Sequence, residues 1–118
     1  MNQRILVCGD RNMTDYKEIH KILNEFPSDS VVIHGNCRGA DKMAGRAAKK
    51  LGMEVMVFPA DWKTFGKAAG PIRNTKMLDE GHPDVVIAFH PNISQSKGTK
   101  NMIDQACMRN INVILIEE

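Results

Sequence analysis

Three short glycine-marked segments hold most of the residues able to do chemistry in this chain: Gly9-Asp10-Arg11-Asn12, His34-Gly35-Asn36-Cys37-Arg38-Gly39-Ala40-Asp41 and Ser96-Lys97-Gly98-Thr99. A fourth, Gly70-Pro71-Ile72-Arg73-Asn74, falls between the second and the last. Glycine lets the main chain approach a ligand closely, and the unpaired N–H groups of a helix start carry a partial positive charge toward it. Arg11, Arg38 and Arg73 lie on or beside these segments, and guanidinium forks match phosphate oxygens. Plain turns and solvated arginines would account for any one segment. Three of them leading into helices at one sheet edge point to a phosphate-binding site.

Arg73 and Asn74 follow Pro71 into the first turn of a helix, where an arginine opposes the helix dipole; an anion, or a carboxylate such as Asp10 or Asp41, is expected to compensate. Trp62, the single tryptophan, sits in the long irregular stretch Pro59 to Gly70 and either stacks on a base or anchors the loop. Signals for catalysis are thinner. His34 and Asp41 are the candidates, yet His34 suits a hydrogen-bonded structural role and Asp41, like Asp10, suits a helix cap or an arginine partner. His34, Cys37 and His90 match no tight zinc spacing, so neither a metal nor a required cofactor is expected.

The elements that must hold these segments follow from the apolar pattern. Five runs near strand length recur, Arg4 to Cys8, Val31 to His34, Glu54 to Phe58, Asp84 to Phe89 and Asn112 to Ile116. They are rich in Val and Ile and continuous, as in parallel strands covered on both faces. Four helical stretches alternate with them. The first starts near Thr14 or Asp15 and packs through Tyr16, Ile19, Leu23 and Phe26; the second carries an Ala44, Ala47, Ala48, Leu51 stripe between Asp41 and Gly52. The third runs from Gly70-Pro71 to Gly81, and the fourth from about Thr99 to Arg109 with Met102, Ile103, Ala106 and Cys107 inward. The reading is an α/β, Rossmann-like, doubly wound open parallel sheet of five strands in order 3-2-1-4-5, with 2-1-3-4-5 as the other topology that right-handed crossovers allow. In either, the ligand crevice lies beyond the carboxyl ends of the strands, where the glycine segments fall.

Composition sets the outer bounds. The 118 residues are 42% apolar and 25% charged, with a net charge of +2 and both signs interspersed, which predicts one folded domain over 1–118. No basic stripe of the kind a duplex demands is visible in the linear order, so a nucleic-acid duplex is not an expected partner. No run is long enough to span a bilayer, so the expected setting is the cytosol without a membrane partner. Cys8, Cys37 and Cys107 are read as reduced thiols, Cys8 and Cys107 buried on apolar faces and Cys37 more accessible in its glycine loop. Lys63 and Lys67 read as a solvated face, and Met43, Met53, Met77 and Met102 as core filling. Oligomeric state is open, with a homo-oligomer among the expected partners.

The ordered set Gly9-Asp10-Arg11, His34 to Asp41, Pro59-Ala60-Asp61-Trp62 and Gly70 to Asn74 resembles the YspA-type branch of the SLOG superfamily over nearly the whole chain. The pair HGxxRGAD and GPIRN is its most specific part. The resemblance implies a Rossmann-like fold that binds nucleotides or nucleotide-derived signals such as ADP-ribose or NAD relatives. The ligand-binding set is then Gly9, Asp10, Arg11, His34, Gly35, Arg38, Gly39, Ala40, Asp41, Trp62, Gly70, Arg73, Asn74, Gly98 and Thr99. Related LOG phosphoribohydrolases carry a glutamate where this chain has Met102, so binding or sensing is expected rather than hydrolysis. N-glycosidic hydrolysis of a nucleotide is the alternative. Single-stranded nucleic-acid binding is a third, set against only six aromatic residues.

Overall fold

The computed structural model describes residues 2–117. Its sheet consists of β1 (Arg4–Gly9), β2 (Val31–His34), β3 (Glu54–Val57), β4 (Val85–Phe89) and β5 (Asn112–Ile116), all parallel, in the order β3-β2-β1-β4-β5. This is the 3-2-1-4-5 arrangement expected from the continuous apolar runs. The central strands β2 and β4 are buried along their whole length, and β1 is buried through its middle from Ile5 to Cys8. The edge strands β3 and β5 leave Val57 and Ile114 about half exposed.

Five α-helices connect the strands: α1 (Tyr16–Leu23), α2 (Ala40–Lys50), α3 (Trp62–Phe65), α4 (Ala69–Gly81) and α5 (Lys97–Met108). One face of the sheet packs against α1 and α2 around Ile5, Val7, Ile19, Leu23, Val32, Ala44 and Ala48. The other packs against α4 and α5 around Leu6, Ile33, Met77, Leu78, Val86, Met102 and Ala106. Alternate residues of β1 thus feed opposite layers, because strand side chains alternate in direction.

Three expectations need correction. Residues between Pro59 and Gly70 are not irregular throughout: Asp61 caps α3 by accepting from the Thr64 N–H at 3.1 Å, and a 3₁₀ turn, Gly66–Ala68, leads directly into α4. A four-residue helix has no room for apolar periodicity, so nothing in the pattern marked it. The fourth helix starts at Lys97 rather than about Thr99, so Gly98 lies in the first turn of α5, whose cap is Ser96, accepting from the Thr99 N–H at 3.1 Å. Cys107 is exposed, whereas Cys8 is buried and Cys37 intermediate; the buried stripe of α5 runs through Thr99, Met102 and Ala106 and leaves Cys107 on its outer side.

Candidate functional site

Because the sheet order reverses between β1 and β4, the connections leaving these two strands diverge and open a crevice beyond their ends. A cavity of about 770 Å³ occupies it, with Cys8, Met77 and Met102 in its lining. Around it stand Gly9 at the end of β1, Asp10 to Asn12 beyond it, Cys37 and Asp41 after β2, the first two turns of α4, and the start of α5. Because α4 begins at Ala69, Arg73 and Asn74 lie in its second turn and not, as expected, in its first. Of the residues singled out from the sequence, Gly9, Asp10, Arg11, Asp41, Trp62, Gly70, Arg73, Asn74, Gly98 and Thr99 line this cavity. His34, Gly35, Arg38, Gly39 and Ala40 do not, and each has a visible structural task instead.

Gly39 holds φ at +81°, and a Cβ there would strike the main chain of Asp10 and Arg11. The second loop therefore closes on the first backbone to backbone, with the Ala40 N–H donating to the Asp10 carbonyl at 3.2 Å. Arg38 is exposed and donates to Asn12 Oδ1 at 3.4 Å. His34 is buried, accepts from the Asn36 N–H through Nδ1 at 3.0 Å, and turns Nε2 toward Gly45, where a Cβ would come within 2.7 Å. Burial, then Lys42 and Lys49 on α2, lower its pKa to about 4, so the ring is neutral at physiological pH. It braces α2 rather than facing the cavity.

Asp41 fastens the second loop. It is not the cap of α2, which is Gly39; its Oδ2 accepts from the Gly35 N–H at 3.0 Å and the Cys37 N–H at 3.3 Å. Burial raises its pKa to about 6, opposed by the Cys37 N–H, the Arg73 guanidinium and the Gly35 N–H. Asp41 is thus one of the two carboxylates foreseen as compensating for Arg73, acting here across space. Arg73 itself is a strut: Nη1 donates to the Gly35 carbonyl at 2.6 Å, Nε to Asn74 Oδ1 at 3.0 Å, and Nη2 approaches Cys37 Sγ at 3.8 Å. Cys8 is deeply buried, and desolvation pushes its thiol pKa far up, so it is no thiolate nucleophile.

The cations around the cavity are Arg11, Lys67, Arg73 and Lys97, against Asp10 and Asp41. Lys67 and Lys97 were missed as site residues. Lys67 follows an α3 that the linear pattern does not reveal, and Lys97 became a helix-start residue only once Ser96 capped α5. Arg11, Lys67 and Lys97 have no hydrogen-bond or ion-pair partner among the described residues, unlike Arg73. Trp62, 55% exposed, stands at the rim with a ring atom 3.6 Å from the Cβ position of Gly70. The arrangement offers cations, the start of α5 and one aromatic plate to a ligand that is anionic and partly flat. Among the described residues no three His, Cys, Asp or Glu side chains group as they would around a metal ion, and no helix is long and apolar enough to cross a membrane.

Residues 3–65 match the model of the YspA, cpYpsA-related SLOG family. The Gene 61 protein of Mycobacterium phage D29 is 35% identical over 121 residues, an alignment covering 95% of this chain and 94% of the phage protein. DNA processing protein A (DprA) from Streptococcus pneumoniae has a similar fold, with a TM-score of 0.79 over 96% of this chain at 17% sequence identity. This chain spans 50% of that structure's length.

Proposed function

Since the chain belongs to the YspA, cpYpsA-related SLOG family, whose membership points to nucleotide-related work, we propose that it binds a nucleotide-derived small molecule of the ADP-ribose or NAD kind in the cavity above β1 and β4. One observation carries the reading: Arg11, Lys67 and Lys97, without protein partners among the described residues, surround one 770 Å³ cavity that Trp62 borders. In a protein of net charge +2, such a gathering is local recognition of an anion rather than general attraction. Phosphates would meet these cations and the N–H groups of Lys97 and Gly98 at the start of α5, while the base lies against Trp62.

The alternative, N-glycosidic hydrolysis, rests on Asp41, a carboxyl in the cavity lining whose pKa of about 6 suits an acid-base role. Two main-chain N–H groups already occupy its Oδ2, and Met102 is fully buried where a LOG enzyme has its glutamate, so binding without turnover is the reading adopted. Native mass spectrometry of freshly purified protein, followed by calorimetry against mono-, di- and cyclic nucleotides, NAD and ADP-ribose, tests it. A nucleotide mass carried through purification, or binding of one panel member, is expected. A panel that fails entirely overturns the proposal, and release of free base that stops in Asp41→Asn establishes the alternative.

A further inference from the structure

Asn74 is 4% exposed and joins parts of the site that come from distant stretches of chain. Its Nδ2 donates to the Gly98 carbonyl and to Asn101 Oδ1, each at 3.2 Å, while its Oδ1 accepts from Arg73 Nε at 3.0 Å. A flipped amide would aim its oxygen at two acceptors and its nitrogen at a guanidinium donor, so only this orientation is satisfied. Arg73 in turn reaches the Gly35 carbonyl at 2.6 Å. The side-chain path therefore runs Gly35, Arg73, Asn74, Gly98, from the loop after β2 to the first turn of α5.

We infer that Asn74 is a positioning residue that couples the Gly35–Cys37 loop to the Gly98 end of the cavity, with Arg73 as the connecting strut. An anion that draws Arg73 toward itself takes a donor from the Gly35 carbonyl and disturbs the acceptor side of Asn74. The amide then loses the partner that fixes its orientation, and its hold on the Gly98 carbonyl loosens. Occupation of one end of the cavity thereby resets the other. The coupling belongs to the protein without ligand and holds whatever anion the cavity accepts, so its test is independent of the nucleotide reading.

The experiment is residue-resolved amide hydrogen exchange on the full chain without ligand, with the amides of β1 and β4 as the control for intact folding. Residues 99–102 report the Gly98 end, since the Thr99 N–H is bonded to Ser96 Oγ and those after it lie within α5. Arg73 makes no hydrogen bond to them, yet Arg73→Met is expected to speed exchange there about tenfold, as well as at residues 35–37. Asn74→Leu does the same at both places, and the double variant adds nothing at 99–102 beyond Asn74→Leu alone. Asn74→Asp, which keeps the acceptor for Arg73 but removes the donors, opens 99–102 and leaves 35–37 protected. If Asn74→Leu fails to fold, Arg73→Met and Asn74→Asp still decide the matter. The inference is overturned if Arg73→Met changes only residues 35–37, if the two substitutions add at 99–102, or if Asn74→Asp leaves 99–102 protected.

Discussion

The Arg73 guanidinium lies directly where a side chain on Gly35 would project, and the two residues are joined by the 2.6 Å bond from Nη1 to the Gly35 carbonyl. The absence of a Cβ at position 35 is therefore what lets α4 brace the loop after β2. Gly35→Ala must displace a guanidinium held by three groups, and is expected to cost about 1–3 kcal/mol. Urea denaturation checks this, with a specific internal control: in an Arg73→Met background the alanine should cost much less. Equal costs in both backgrounds would show that the clash is not the cause.

Arg11 and Arg38 are equivalent by type and by proximity to glycine, but the structure separates them. Arg11 lines the cavity, while Arg38 does not and donates to Asn12 Oδ1. With whichever nucleotide proves to bind, Arg11→Ala is expected to weaken affinity by about tenfold to a hundredfold, the loss of one charge-assisted hydrogen bond of about 1.5–3 kcal/mol. Arg38→Ala should stay close to wild type. Calorimetry on the two variants distinguishes them, and a loss at Arg38 matching that at Arg11 would move the site to the other side of the junction.

His34 and Asp41 give opposite pH slopes to stability. His34 has a folded pKa of about 4 against an ordinary 6.5, so the unfolded chain binds the extra proton and stability falls as pH drops from 6.5 toward 4. Asp41 has a folded pKa of about 6 against an ordinary 3.8, so the folded state holds its proton more tightly and stability rises as pH drops from 6 toward 4. In the wild type the two contributions oppose each other. Asp41→Asn, which retains an oxygen for the Gly35 and Cys37 N–H groups, should leave the acid loss from His34 exposed; His34→Asn, with Oδ1 in place of Nδ1, should do the reverse. Thermal melts at half-unit steps between pH 4 and pH 7 read both, and parallel curves for the two variants would refute the assignment.

The three thiols should react in a fixed order. Cys107 is exposed, Cys37 intermediate in the cavity lining, and Cys8 buried with a raised pKa. Timed alkylation followed by peptide mapping is expected to modify Cys107 first, Cys37 next, and Cys8 only on unfolding. Bound nucleotide should protect Cys37 and leave Cys107 unchanged. Protection of Cys107 instead would place the ligand away from the cavity.

The sequence by itself determined the architecture, because continuous Val- and Ile-rich runs such as Val85 to Phe89 require cover on both faces, and alternation with helices leaves few right-handed arrangements. It also placed the candidate site at one sheet edge, since the glycine segments follow strand ends in order. Which of the flagged residues face the cavity was decided only by the tertiary structure. Arg11 and Arg38 look alike in the linear order, yet in the fold Arg11 lines the cavity and Arg38, beside the backbone contact between Gly39 and the first loop, does not. Lys67 entered the site through a single-turn helix too short to leave a periodic trace, and His34 left it because Gly45, eleven positions along and on another element, makes room for its ring beneath α2. Local patterns record what each segment needs, whereas the direction of a side chain depends on packing against residues far away in the chain, which periodicity and spacing do not encode.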